Sequence, residues 1–334
     1  MATRWGMTYP LEGIPLSAHR EILEEAERLG YTDAWTAEVN ANDAFTPMAA
    51  MACWTKSTRL GSAIGNIYTR TPTLLAQTAA GLADLAPGRV VMGLGTSSPA
   101  IVEVWNGVKL EKPLTRMRQT VEFLRQALTG EKTVMAVGPY DVKSFRLGRA
   151  PDQPVPIFVA ALREKMLQLG GALGDGVITN YISPGDGPKI AAVAKEAARK
   201  AGRDPEAVDV ACRIFVIPTE DRQVAQMIGR FIVSGYLTTP FYYAFHEWLG
   251  RGDALSPMMQ AWKAGDRQTA LGLVPEKVVD DLFVFGSRSE MLDKIEAYCK
   301  NGITTPILNI VPTARDPKAQ AEETFVALKA LAPR

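Results

Sequence analysis

Residues 155–184 read VPIFVAALREKMLQLGGALGDGVITNYISP. Ile157–Ala160 is continuously apolar, as a strand buried on both faces must be. A helical pattern near Arg163–Leu173 follows, then a second strand-like run at Gly176–Thr179. Two short strands joined through a helix lie parallel, and such crossovers are right-handed. The same unit recurs on both sides. Strands are expected at Arg4–Met7, Asp33–Thr36, Leu60–Ile64, Val90–Leu94, Val208–Val216 and Pro306–Val311. Helical patterns occupy Pro15–Leu29, Asp43–Trp54, Pro72–Leu85, Leu114–Leu128, Asp186–Lys200, Ser289–Lys300 and Pro317–Leu331. Pro72 opens its helix and Pro87-Gly88 lies beyond the end, the usual asymmetry of helix termini.

Eight strands, nearly all linked by helices, point to an α/β fold closed into a (β/α)8 TIM barrel rather than an open sheet. The expectation is one domain, residues 1–334, with insertions at 131–156 and 235–286. The second insertion carries Tyr236, Phe241, Tyr242, Tyr243, Phe245 and Trp248. Segments of that length are either binding lids or surface subdomains packed on themselves.

Composition narrows the function. Lys and Arg number 37 against 36 Asp and Glu, so the net charge is +1 and a general polyanion partner such as nucleic acid is not expected. Hydrophobic residues at 47% with charged residues at 22% describe a globular chain, not a disordered one. No run of about 18 uncharged apolar residues exists, so no membrane span is expected. The start, MATRWGMTYP, has no signal-type apolar core, and a cytoplasmic protein is expected. Cys53, Cys212 and Cys299 form no CxxC pair and read as buried thiols. His19 and His246 are too few for a histidine-rich metal site, and no metal is expected.

In a barrel the active site lies at the C-terminal ends of the strands. Here those ends carry Glu38, then Gly65-Asn66, then Gly95-Thr96-Ser97-Ser98, then Ala160-Ala161-Leu162-Arg163, then Asn180. These are mostly small residues, amides and hydroxyls. Paired glycosidase carboxylates and carboxylate–histidine metal clusters are missing. Such a site suits an organic cofactor that brings its own reactivity. Gly61-Ser62-Ala63-Ile64-Gly65 could form a platform for a flat ring, because small residues let backbone approach it closely. Asn66, Thr96, Ser97 and Ser98 could serve a polar edge, and backbone N–H groups opening the helix after the fifth strand could hold phosphate. Barrel interiors and tight turns use small residues in any case, so each assignment also has a structural reading.

Five segments together resemble the bacterial luciferase-like superfamily, in the branch that uses the 8-hydroxy-5-deazaflavin coenzyme F420. They are residues 26–38 (AERLGYTDAWTAE), 60–72 (LGSAIGNIYTRTP), 88–98 (GRVVMGLGTSS), 112–132 (KPLTRMRQTVEFLRQALTGEK) and 155–184. The resemblance implies a luciferase-like barrel, a homodimer formed through the early helices, and a non-proline cis peptide at the end of strand three. The matching bond is Ala63–Ile64. It also implies that Glu38, Asn66, Gly95 and Thr96 lie beside the cofactor, with Ala160, Ala161 and Leu162 at its phosphate. Independently, Phe45–Trp54 is apolar nearly all round and needs burial on more than one face.

The chain departs from the pattern of the family it resembles at four points. Val39 stands where luciferase-like enzymes commonly place a histidine. Tyr181-Ile182-Ser183 offers no lysine, so a sugar phosphate substrate is not expected. Thr8 stands where methylene-tetrahydromethanopterin reductases place a glutamate. Leu162-Arg163 replaces the usual Gly-Pro at the phosphate loop, where Arg163 adds a cation or faces solvent. The expected function is F420-dependent hydride transfer to or from a small organic substrate, with Glu38 as catalytic candidate. Glu38 reads either as a proton-exchanging or substrate-orienting group, or as a carboxylate capping nearby backbone. The alternatives are an FMN-dependent monooxygenase and a non-catalytic cofactor-binding protein.

Overall fold

The computed structural model describes residues 4–333. Its barrel strands are β1 (Gly6–Tyr9), β2 (Asp33–Thr36), β3 (Arg59–Ser62), β4 (Val90–Gly95), β5 (Ile157–Ala160), β6 (Gly176–Asn180), β7 (Asp209–Val216) and β8 (Thr305–Ile310). All pair in parallel. β1 bonds β2 on one side and β8 on the other, and the β6–β7 pairing completes the ring. The chain is therefore a closed (β/α)8 barrel. Its outer helices are α1 (His19–Arg28), α2 (Phe45–Trp54), α3 (Pro72–Leu85), α4 (Pro113–Ala127), α5 (Glu164–Leu173), α6 (Gly187–Lys200), α7 (Arg222–Tyr236), α8 (Pro240–Trp248), α9 (Gly252–Lys263), α10 (Arg267–Gly272), α11 (Glu276–Leu282), α12 (Arg288–Lys300) and α13 (Pro317–Ala330).

Two strands differ from the sequence expectation. β1 starts at Gly6; just before it the Trp5 indole N–H donates to the Leu331 carbonyl at 2.9 Å, and the Trp5 carbonyl accepts the Thr32 N–H at 2.9 Å. β3 ends at Ser62. The chain then passes through Ala63–Ile64, whose peptide bond is cis, and rejoins β4 at Gly65–Asn66. Of the cysteines, Cys212 is buried and Cys299 partly so, but Cys53 is exposed on α2, contrary to expectation.

The first insertion is an antiparallel hairpin, Thr133–Val137 with Tyr140–Phe145. The second contributes α8 to α11 and a short strand, Phe283–Val284, that pairs with the end of β7. Its helices bury Leu255, Met258 and Val279 in a cluster with Tyr181 and Phe215. It packs on itself and also over the barrel mouth.

Alternation decides what fills the barrel. Trp35, Val91, Phe158, Ile178, Ala211 and Ile307 form the interior cluster, while their strand neighbours pack under the helices. The Trp35 ring occupies the space opposite Gly61, where a Cβ would overlap it. Below it, Arg59 closes the N-terminal end. Arg59 pairs with Asp33, donates to Asp209 at 2.8 Å and to Thr305 at 2.8 Å, and lies 5.5 Å from the Trp35 ring centroid. Outside the barrel, Glu27 of α1 grips the segment before β3, accepting from the N–H groups of Lys56, Ser57 and Thr58 and from the Thr58 hydroxyl.

Two outcomes follow. Arg59→Met strips a buried cation from two carboxylates and should cost about 3 kcal/mol of unfolding free energy, read by urea titration. Partial burial pushes the Glu27 carboxyl up, but bonds from Thr58, Ser57 and Lys56 outweigh it and bring it to about 2, below its ordinary 4.5. A depressed carboxyl stabilises the folded state above its unfolded value, and that stability is lost as pH falls toward the folded one. Wild type should therefore lose stability relative to Glu27→Gln as the pH falls from about 4.5 to about 2, and parallel curves would refute this.

Candidate functional site

The mouth is shaped where β3 leaves the ladder. β3 and β4 are in register at Leu60–Val90 and Gly61–Val91, then again at Gly65–Leu94 and Asn66–Gly95. Between these points Ser62 replaces the missing backbone pairing. Its hydroxyl donates to the Gly93 carbonyl at 2.8 Å and accepts the Gly93 N–H at 3.0 Å. One hydroxyl has donor and acceptor capacity for both bonds. Gly93 must be glycine, since a Cβ would overlap the Ser62 carbonyl. A Cβ on Gly95 would come within 2.6 Å of the Ile64 side chain. Small residues thus let Ala63–Ile64 project into the mouth.

Asn66 follows on the Gly95 face. Its Oδ1 accepts the Tyr68 N–H at 2.8 Å, while its buried Nδ2 has no partner. Glu38, at the β2 tip, holds this turn. It accepts the Asn66 N–H at 2.9 Å and pairs through both oxygens with Arg70 at 2.6 Å. Arg70 also lies 4.8 Å from the Phe45 ring centroid of α2. A carboxylate engaged by a two-pronged guanidinium and a backbone N–H is a positioning group. Arg70, quoted in the sequence but given no role, is what ties it down. Arg116 of α4 braces the next residue, donating to the Ile67 carbonyl and to Val137 of the hairpin. Thr96 and Ser97 sit half-buried at the β4 tip, Ser97 with φ of 58°.

Around the rim, Ala160 is partly buried and packs against the interior cluster, Ala161 is buried and donates to the Ile178 carbonyl at 2.8 Å, and Leu162 is half-buried. Arg163 caps α5 and is exposed. Asn180 ends β6 and accepts the Tyr242 hydroxyl at 3.1 Å. Tyr181 has φ of 51°, is buried, and stacks on Phe215 at 4.2 Å between centroids. Of the aromatics in the second insertion, Tyr242 and Tyr236 reach this wall. Trp248 instead stacks on Phe245 and covers Lys189 of α6.

Sequence reading missed Arg213 on β7. The signal was a cation in the middle of the strand Asp209–Val216, whose other charge, Asp209, lies at its start. Arg213 donates to Asn309 of β8 at 2.5 Å, and burial draws its pKa down. The two histidines differ: His19 is bonded into the fold, while both buried ring nitrogens of His246 lack a partner among the described residues. His19 accepts the Leu11 N–H at 2.7 Å and bonds the Pro15 carbonyl. His246 is buried in α8, where burial and then the Arg251 cation bring its pKa down to about 3. Among the described residues no group of three His, Cys, Asp or Glu side chains could hold a metal, and no helix is long and apolar enough to cross a membrane.

A barrel mouth lined by glycine and alanine and edged by the unpaired Asn66 amide nitrogen suits a flat organic cofactor. The family model for luciferase-like monooxygenases matches residues 2–305, and the chain belongs to that family. It is 32% identical over 238 residues to the 5,10-methylenetetrahydromethanopterin reductase of Methanolobus tindarius, covering 69% of this chain and 72% of that one. The coenzyme F420-dependent tetrahydromethanopterin reductase of Methanopyrus kandleri superimposes with a TM-score of 0.71 at 25% identity, over 99% of this chain and 98% of that one. An F420-dependent secondary alcohol dehydrogenase in complex with an F420-acetone adduct superimposes over 100% of both chains with a TM-score of 0.78. At 20% identity that likeness bears on the fold.

Ser62→Ala would leave the Gly93 N–H and carbonyl both buried without a partner. The expected cost is about 2–3 kcal/mol by urea unfolding. A loss below about 0.5 kcal/mol would show that the stitch is dispensable.

Proposed function

We propose that this chain is a coenzyme F420-dependent oxidoreductase whose mouth holds the deazaflavin over Ala63, Ile64 and Gly65 and moves a hydride between it and a small organic substrate. The observation that carries this reading is the unpaired, buried Nδ2 of Asn66 in a turn lined by small residues, where Gly93 and Gly95 let the Ser62 carbonyl and the Ile64 side chain pack close. A planar ring with a carbonyl edge fits both features: it covers the small residues and accepts the amide N–H. The family and the F420-dependent relatives support the same reading. When bound, the deazaflavin supplies a two-electron hydride carrier.

The chain's own residues position and exclude. Asn66 donates to the ring edge, and Gly95, Thr96 and Ser97 leave room along it. Ala160, Ala161, Leu162 and Arg163 receive the phosphate at the start of α5, where unsatisfied N–H groups and the helix dipole favour an anion. Asn180 stands at the far rim. Glu38 holds Asn66 in register through its backbone bond. Fixing two reactants at near-attack distance supplies much of the rate in such a site. The buried walls of the second insertion keep water from the reacting face.

The whole chain, 1–334, acts as one domain in this reading, with 131–156 and 235–286 as its insertions. It works in the cytoplasm as a homodimer. The half-buried Trp54 on α2 and the half-exposed Leu74 and Leu85 on α3 offer an apolar face of the kind such an interface uses.

The test is a titration of purified apoprotein with F420 and, separately, with FMN, followed by intrinsic fluorescence. F420 should bind more tightly, and Asn66→Leu should weaken it by about tenfold, the equivalent of one hydrogen bond to a buried donor. Preference for FMN would overturn the cofactor assignment. F420 binding without hydride exchange across alcohols, imines and enones would make the protein a carrier.

A further inference from the structure

β7 lies across the barrel from β3, four steps round the ring in either direction. Its inward residue at the mouth is a cation without a counter-charge. Arg213 gives one Nη2 bond to the Asn309 side-chain oxygen, and its buried Nε has no partner. Among the described residues no carboxylate pairs with it. Three other arginines of low exposure carry counter-charges, whereas Arg116, like Arg213, has an unpartnered Nε and no carboxylate among the described residues. Arg59 and Arg70 each hold two carboxylates, and Arg251 holds Asp186. Arg116 donates to two backbone carbonyls.

The surroundings of Arg213 are built for a ligand with one flat anionic end. Asn180 is its register partner on β6, so the two side chains share a face. The Asn180 oxygen is taken by the Tyr242 hydroxyl, and among the described residues its amide N–H groups have no acceptor. Phe215, Tyr181 and Tyr242 form an aromatic wall beside the guanidinium, with Arg213 5.6 Å from the Phe215 centroid. A cation is unfavourable to bury unless an anion completes it. A planar guanidinium matches a carboxylate with two parallel N–H bonds. A phosphate dianion calls for a second cation, which the described residues of this wall do not supply.

We propose that the substrate of this enzyme carries a carboxylate, received by Arg213 and the Asn180 amide against the Tyr181–Phe215–Tyr242 wall. This rests on the F420 reading of the mouth, because a ring laid on the β3 side leaves the β7 side to the substrate.

Benzoate and benzamide have the same shape and differ in charge, so they separate anion recognition from aromatic packing. Calorimetry on the full chain, with and without F420, should show benzoate binding at least about tenfold more tightly. Arg213→Gln should erase that preference and Arg213→Lys should keep part of it, with F420 affinity unchanged in both. The wild-type comparison stands even if a variant fails to fold. Equal binding of the two probes overturns the proposal, as does a benzoate preference that survives Arg213→Gln. Tighter binding of inorganic phosphate than of benzoate overturns the carboxylate. If Arg213→Gln instead weakens F420, the residue serves the cofactor and the proposal falls. Failure of wild type to bind F420, with benzoate preferred, sinks the cofactor reading and leaves the carboxylate site standing.

Discussion

The mouth of this barrel depends on how its interior is divided. The Trp35 ring lies against Gly61 of the adjacent strand and fills the level where a Cβ there would collide. Protein interiors are close-packed, so a large ring at one level forces small neighbours beside it. The consequence runs upward. With the lower barrel closed by Trp35, Phe158 and the Arg59 guanidinium, the residues above need not complete a core. Ala63, Gly93, Gly95 and Ala160 keep the rim small, and at Gly93 and Gly95 the Ser62 carbonyl and the Ile64 side chain take the space beside them.

Charge is placed by the same division. At the closed end Arg59 is matched by Asp33 and Asp209, a fully compensated group whose role is mechanical. At the open end Glu38 and Arg70 compensate each other and fix the turn that carries Asn66. Across from them Arg213 has only an amide oxygen. Two sides of one mouth thus differ in kind: small and amide-edged over β3 and β4, cationic and aromatic over β6 and β7. Such asymmetry suits a site that takes two different molecules face to face.

Much of this was legible in the chain. The strands at Asp33–Thr36 and Ile157–Ala160 lie where expected; Ile157–Ala160 carries the unbroken apolar signature of a strand buried on both faces, while Asp33–Thr36 is apolar only at Ala34 and Trp35. Asn66, Gly95 and the small residues around Ala63 were singled out by their place at strand ends, and the structure brings them together at one mouth. Arg70 and Arg213 were not. A lone arginine in a sequence has no visible partner, and whether it is paired depends on residues 32 positions away for Glu38 and 96 for Asn309. The role of Glu38 was ambiguous for the same reason.

Periodicity and residue size, both local properties, determined the number of strands, their parallel order, the barrel and the small lining of its rim. Only the tertiary structure decided which polar groups there are satisfied. Hydrogen-bond and ion-pair completion is a property of distance in space, and closing the ring brings β3 and β7 to face each other across one mouth. That closure left the Asn66 nitrogen and the Arg213 guanidinium with bonds still to make.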